Sequence, residues 1–163
     1  MSKALPIIVF SIISIFILES CENRNFIFSD ESVFENGTWN EADSVTFEVD
    51  VLDTMKLYNL GLIVEHSKNY PAQNIYLKIN TTFPDRQYFT QRVNIDFANQ
   101  AGKWFGDCSG DICEVEAFIQ QGAYFNQQGK YQFTIKQFTR DVDLKNINRL
   151  QFFVEDMQQT RQQ

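Results

Sequence analysis

The sequence holds one histidine and three cysteines among its 163 residues. A lone His66 leaves no HExxH pair and no Cys–His zinc set. Cys21, Cys108 and Cys113 are too few to staple a small disulfide-built protein, and they lack zinc-ligand spacing. Gly-x-Ser-x-Gly, GxxxxGK[ST] and GxGxxG are all missing, so the common nucleophile elbow, phosphate loop and dinucleotide fingerprint are absent. Positive charge is scarce. Fourteen Lys and Arg stand against 21 Asp and Glu, a net charge of -7, which gives no basic footprint for nucleic acid. No segment keeps a helical period of 3.6 for long, and no internal repeat is visible. These gaps point away from an enzyme, a cofactor and a small-molecule substrate. What is present is apolar: 44% hydrophobic residues, 15% aromatic, 16 of them Phe. Such a chain is too apolar to stay disordered. Its length suits one domain with a core that needs no metal.

The N-terminus reads as an address. Met1-Ser2-Lys3 is a short basic start, and Ala4 to Leu18 carries no charge. A membrane span needs ~20 apolar residues, so this run suits a secretory signal better. Leu18-Glu19-Ser20-Cys21 resembles the lipobox of bacterial lipoproteins: an aliphatic residue, a small residue, then the thiol that takes diacylglycerol. Glu19 departs from the usual small or hydroxylated residue. The expected layout is a lipoprotein signal peptide at 1–20, a lipidated tether and edge segment at 21–38, a β domain at 39–157 and a polar, frayed tail at 158–163. Each buried acyl methylene contributes ~0.8 kcal/mol, so two or three chains on Cys21 hold the domain firmly to a membrane. Glu22 does not settle which membrane.

The rest alternates with period two. Val45, Phe47, Val49 and Val51 face one way while Thr46, Glu48 and Asp50 face the other. Leu60-Leu62-Val64, Ile75-Leu77-Ile79, Phe89-Val93-Ile95-Phe97, Tyr131-Phe133-Ile135 and Leu150-Phe152-Val154 form similar stripes, opposite residues such as Tyr76, Lys78 and Arg92. Cys113-Val115-Ala117-Ile119 is a weaker one. Turn signals such as Asn36-Gly37 and Ser109-Gly110-Asp111 separate them. One apolar face per strand predicts an all-β, antiparallel, jelly-roll-like β-sandwich of about seven to eight strands. A closed barrel is the alternative.

Few local motifs suggest chemistry. His66 continues the Leu60-Leu62-Val64 stripe and reads as a structural histidine. Asp141 and Asp143 could ligate calcium, but Lys145 breaks the pattern. Glu114 and Glu116 share a strand face, as solvated carboxylates commonly do. Cys108 and Cys113 flank four residues, a spacing that lets a tight hairpin bring them within disulfide range. Two free thiols are the other reading. Trp104, in Gly102-Lys103-Trp104-Phe105-Gly106, suits packing at a core edge; a binding platform for sugar or peptide is the functional alternative.

From about Asp30 to Glu155 the chain resembles the gliding motility lipoprotein GldH family. The likeness lies in the lipobox, Trp39, Asp53-Thr54 with Tyr58, and Tyr70 with Gln73-Asn74-Ile75-Tyr76-Leu77. It continues in the Trp104 element and in Gly129-Lys130-Tyr131-Gln132-Phe133-Thr134-Ile135-Lys136-Gln137 through Arg140. Phe138-Thr139 and Lys145-Asn146 are small departures. The resemblance implies a non-catalytic envelope lipoprotein required for gliding. It would work with other gliding lipoproteins and the linked protein-secretion machinery, lipid-anchored and expected at the periplasmic side of the outer membrane. Tyr70, Asn74, Trp104, Gln137 and Arg140 are the candidate partner contacts; a structural role is the alternative for Gln137 and Arg140. A carbohydrate-binding envelope lipoprotein is the competing function.

Overall fold

The computed structural model describes residues 24–162; the expected signal peptide and Cys21 lie outside the described residues. Eight long strands carry the architecture: β1 (Phe26–Val33), β3 (Val45–Val51), β4 (Lys56–Ser67), β5 (Asn74–Thr82), β6 (Tyr88–Asp96), β8 (Ile112–Ala123), β9 (Gly129–Gln137) and β11 (Ile147–Thr160). Three short ones, β2 (Thr38–Asn40), β7 (Asp107–Ser109) and β10 (Asp143–Lys145), complete it. One sheet has the order β1-β11-β4-β8-β7 and another β3-β9-β5-β6, while β10 pairs with β2 in a small ribbon. Every pairing is antiparallel. The expected sandwich is borne out.

Alternation builds it. In β3 the four apolar residues are buried and the three between them exposed. Rings fill the space between the sheets. Phe152 is fully buried, with ring centroids 4.7 Å from Phe133 and 5.5 Å from Phe47. Burying one such ring contributes ~1.5–3 kcal/mol. Trp39 is also fully buried, stacked on Phe34 at 4.5 Å, and its indole N–H donates to the Asp43 carbonyl at 3.2 Å.

The segment expected as tether and edge carries β1. β1 is registered against β11 from Phe26 to Val33, and Phe34 is buried. The tail is also more ordered than its polarity suggests. β11 continues to Thr160, which pairs with Lys56, and Arg161 N–H donates to the Met55 carbonyl at 2.8 Å. Backbone pairing, which is indifferent to side-chain polarity, holds the polar residues there.

The sheets are uneven. The second has four strands to the first one's five, and its outermost member, β6, pairs only with β5.

Candidate binding cleft

At one end of the sandwich the chain leaves β4, turns through residues 68–73 and returns as β5. Beside that turn, β9 runs into the loop before β10. Buried Gln137 organises this loop. Its Nε2 donates to the Asp141 carbonyl at 2.7 Å, and its Oε1 accepts from Thr139 N–H at 2.9 Å and Thr139 Oγ1 at 2.7 Å. The amide is satisfied, as a buried polar group must be. Phe138 N–H donates to the Tyr76 carbonyl at 2.8 Å, which ties the loop to β5. Phe138 and Arg140 are left exposed.

Across from the loop, Tyr70 is buried and donates its hydroxyl to the Asn74 carbonyl at 3.1 Å. Burial pushes its phenol pKa up to about 12, so it stays a donor. Asn74 Nδ2 donates to Asn94 Oδ1 at 2.6 Å. These pieces enclose a cleft of about 920 Å³ lined by Tyr70, Asn74, Tyr76, Arg92, Phe138 and Arg140, among others. Two aromatic rings stand half out of it, Tyr76 at 50% exposure and Phe138 at 46%. The Arg92 guanidinium lies 4.7 Å from the Phe138 ring centroid, a cation–π contact. Aromatic walls with a few polar groups suit recognition of another molecule.

Of the five candidate contacts, Asn74 and Arg140 lie on this cleft with polar groups at its surface. Tyr70 and Gln137 require correction. Both side chains are buried and spend their polar atoms inside the fold, so they shape the cleft rather than offer themselves to a partner. Trp104 belongs to a separate cluster. It is half-buried, its ring centroid 4.9 Å from that of His66, in a loop closed by an Ala98–Trp104 bridge. His66 is fully buried and stacked on Phe97 at 4.4 Å. Burial lowers its imidazole pKa, with a smaller opposing effect from its Nδ1 contact with the Ser67 carbonyl. Tyr70 is the wall shared by the two clusters, 5.2 Å from Phe97.

Cys108 and Cys113 are paired in register and joined by a disulfide, closing the β7–β8 hairpin. Asp143 accepts from Asn40 Nδ2 at 2.6 Å, and no cluster of three metal-ligating side chains exists among the described residues. Tyr76, Arg92 and Phe138 were not singled out from the sequence. The available signal was an aromatic residue and an arginine on the solvent faces of neighbouring strands.

A second hollow, about 580 Å³, lies on the opposite sheet beside Arg24. That guanidinium is already committed, at 2.8 Å to Glu116 and 3.0 Å to Glu155.

The fold is an all-β antiparallel sandwich with a cleft at one end. The family model described as GldH lipoprotein matches residues 26–152, and the chain belongs to that family. It is similar to a gliding motility lipoprotein GldH homolog of Christiangramia forsetii, 28% identical over 146 residues and 88% of each chain. It is also similar to the gliding motility lipoprotein GldH of Flavobacterium johnsoniae, 30% identical over 125 residues, 77% of this chain and 76% of that one. Among solved structures, TmCBM61 in complex with beta-1,4-galactotriose superposes over 83% of this chain and 89% of that one. At a TM-score of 0.33 and 10% identity, no argument follows from it.

Proposed function

We propose that this protein is a lipid-anchored envelope component of gliding motility. It works without catalysis, by holding partner proteins. Membership of the GldH lipoprotein family supports the setting. The cleft is the observation that carries the interaction role. A buried glutamine and a buried tyrosine spend their hydrogen bonds inside the fold, and beside them Phe138 and Arg140 of the loop and Tyr76 and Arg92 of β5 and β6 present two half-exposed rings and two arginines. Partners are other gliding lipoproteins and the linked secretion machinery. Lipid on Cys21 holds the domain at the periplasmic side of the outer membrane, where sharing one surface raises the partners' effective concentration. For the competing glycan-binding role neither tryptophan offers a free platform, since Trp39 is fully buried and Trp104 half-buried; Tyr76 and Tyr88 are the exposed rings such a role would have to use.

The test is genetic. Tyr76→Ser combined with Phe138→Ser should abolish spreading while lipidated protein accumulates normally, and should remove crosslinks to envelope lipoproteins. If spreading falls only in step with abundance, the cleft is structural and the proposal fails. Cys21→Ala should stop labelled fatty-acid incorporation and leave the precursor uncut. Normal labelling would exclude the anchor.

A further inference from the structure

The register of the four-stranded sheet aligns charges of one sign. On its outer face Lys136 stands abreast of Lys78, and Lys78 abreast of Arg92. Like charges directly opposite on neighbouring strands destabilise a sheet. Among the described residues, none of the three has a carboxylate within 4 Å. A protein of net charge -7 has carboxylates to spare, yet leaves this row unmatched. The row ends at β6 beside the cleft, where Arg92 meets Phe138.

β6 is itself unfinished. It is the sheet's edge, nine residues long, so every second N–H and C=O along it points away from β5. Of its inward-facing side chains only Ile95 is buried. Phe89 is 56% exposed and Val93 only partly buried, as is Ile119 on the facing strand β8. A gap of about 110 Å³ opens between Phe89 and Gln91 on one side and Gln120 and Tyr124 on the other. The opposite edge differs, because β3 buries all four of its inward residues. A fifth strand laid on β6 would cover the apolar residues and bring one of its own side chains abreast of Arg92.

We propose that β6 receives an extended segment of a partner protein as an added strand. That segment carries a carboxylate abreast of Arg92, with Lys78 and Lys136 behind it adding to the field, and apolar residues at the intervening positions that face Phe89 and Val93. Strand addition supplies affinity through the backbone, and side-chain positions of period two supply selectivity. The charge row fixes the partner's sign and speeds its approach. In a second copy of this chain, antiparallel β6–β6 pairing centred on Arg92 would bring two basic rows together. The inference rests on the protein-binding role proposed above and states how the partner is held.

The test uses the full chain in detergent and a displayed library of random ten-residue peptides. Selected peptides should be enriched in an Asp or Glu flanked by apolar residues and free of Pro at their centre. A synthetic copy should bind saturably and slow amide exchange in β6. Lys78→Glu with Arg92→Glu should weaken it at least tenfold, and Pro at alternate positions should abolish binding. Selection without acidic enrichment, protection on β1 instead of β6, equal binding by the Pro peptide, or no saturable binding would each overturn the proposal. So would self-association through β6, which makes a second copy the occupant, or vesicles of anionic phospholipid binding through the same two residues in place of peptide. Loss of spreading in the cleft variant together with failure here would leave the interaction role standing and remove only strand addition.

Discussion

On the outer face of the five-stranded sheet the arginines are spent. Arg149 reaches Glu31 at 2.7 Å and Glu65 at 3.4 Å and also bonds Glu114, while Arg24 holds Glu116 and Glu155. Beneath Arg24, Phe153 is fully buried on what would otherwise be a solvent face, between Phe26 and Phe118. It fits because Gly61 lies under it, where any Cβ would overlap the ring. On the other sheet Lys130 is paired with Glu48, but Lys136, Lys78 and Arg92 stand side by side with no acid near, and rings lie in the open. Both faces belong to the same sandwich with the same alternation. One is sealed by its own side chains, and the other keeps charge and aromatic surface in reserve. The difference locates function better than composition does, because unmatched charge costs stability and the sealed face shows that this chain can match it.

The contrast can be broken most severely at Gly61. Gly61→Val should force Phe153 off its seat and destabilise the fold by about 3 kcal/mol, read by chemical denaturation. An undiminished midpoint would mean the seal is not packed as described.

Acid should separate the faces next. Arg24 holds the Glu155 carboxyl below the usual range through its hydrogen bond, against the opposing effect of burial. The unfolded chain therefore takes up this proton first. The pair's contribution is complete above the ordinary carboxylate value near 4.5 and is lost as pH falls through the lower folded value. Amides of β4 and β11 should lose exchange protection between pH 6 and pH 3 more than the centres of β5 and β9, where Lys78 and Lys136 have no carboxylate to lose. Equal loss in both sheets would contradict the assignment.

The smallest effect has the opposite sign. Lys78→Glu turns two repulsive cross-strand neighbours into attractive ones and should raise stability by about 0.5 kcal/mol while weakening the proposed peptide contact. A residue whose replacement firms the fold and harms binding is kept for binding. A destabilised variant would show that the row has a structural reason.

Much of this fold was legible in the chain. The stripe from Val45 to Val51 came out buried and exposed residue by residue. The Phe89 stripe shows the limit. Its alternation is equally clear, yet Phe89 is more than half exposed, because period two does not reveal whether a strand has neighbours on both sides. Tyr70 and Gln137, expected as partner contacts with a structural role open for Gln137, are buried and bonded inside the fold. A polar side chain reads the same whether its hydrogen bonds end in a partner or in its own loop. The Gly61–Phe153 seat was unreadable, since Phe153 falls outside the Leu150-Phe152-Val154 stripe and its glycine lies on a strand far away in sequence.

The pinning of Arg24 to Glu155 also governs height. With the lipid on Cys21 as proposed, only about 10 Å of chain separates the bilayer from that ion pair, at ~3.5 Å per residue. The leash is short and leaves from the end of β11 that pairs with the beginning of β4, whereas Tyr70 and Phe138 crown the far end of the same strands. Under the proposed lipidation of Cys21, the cleft would stand at the end of the sandwich away from the membrane.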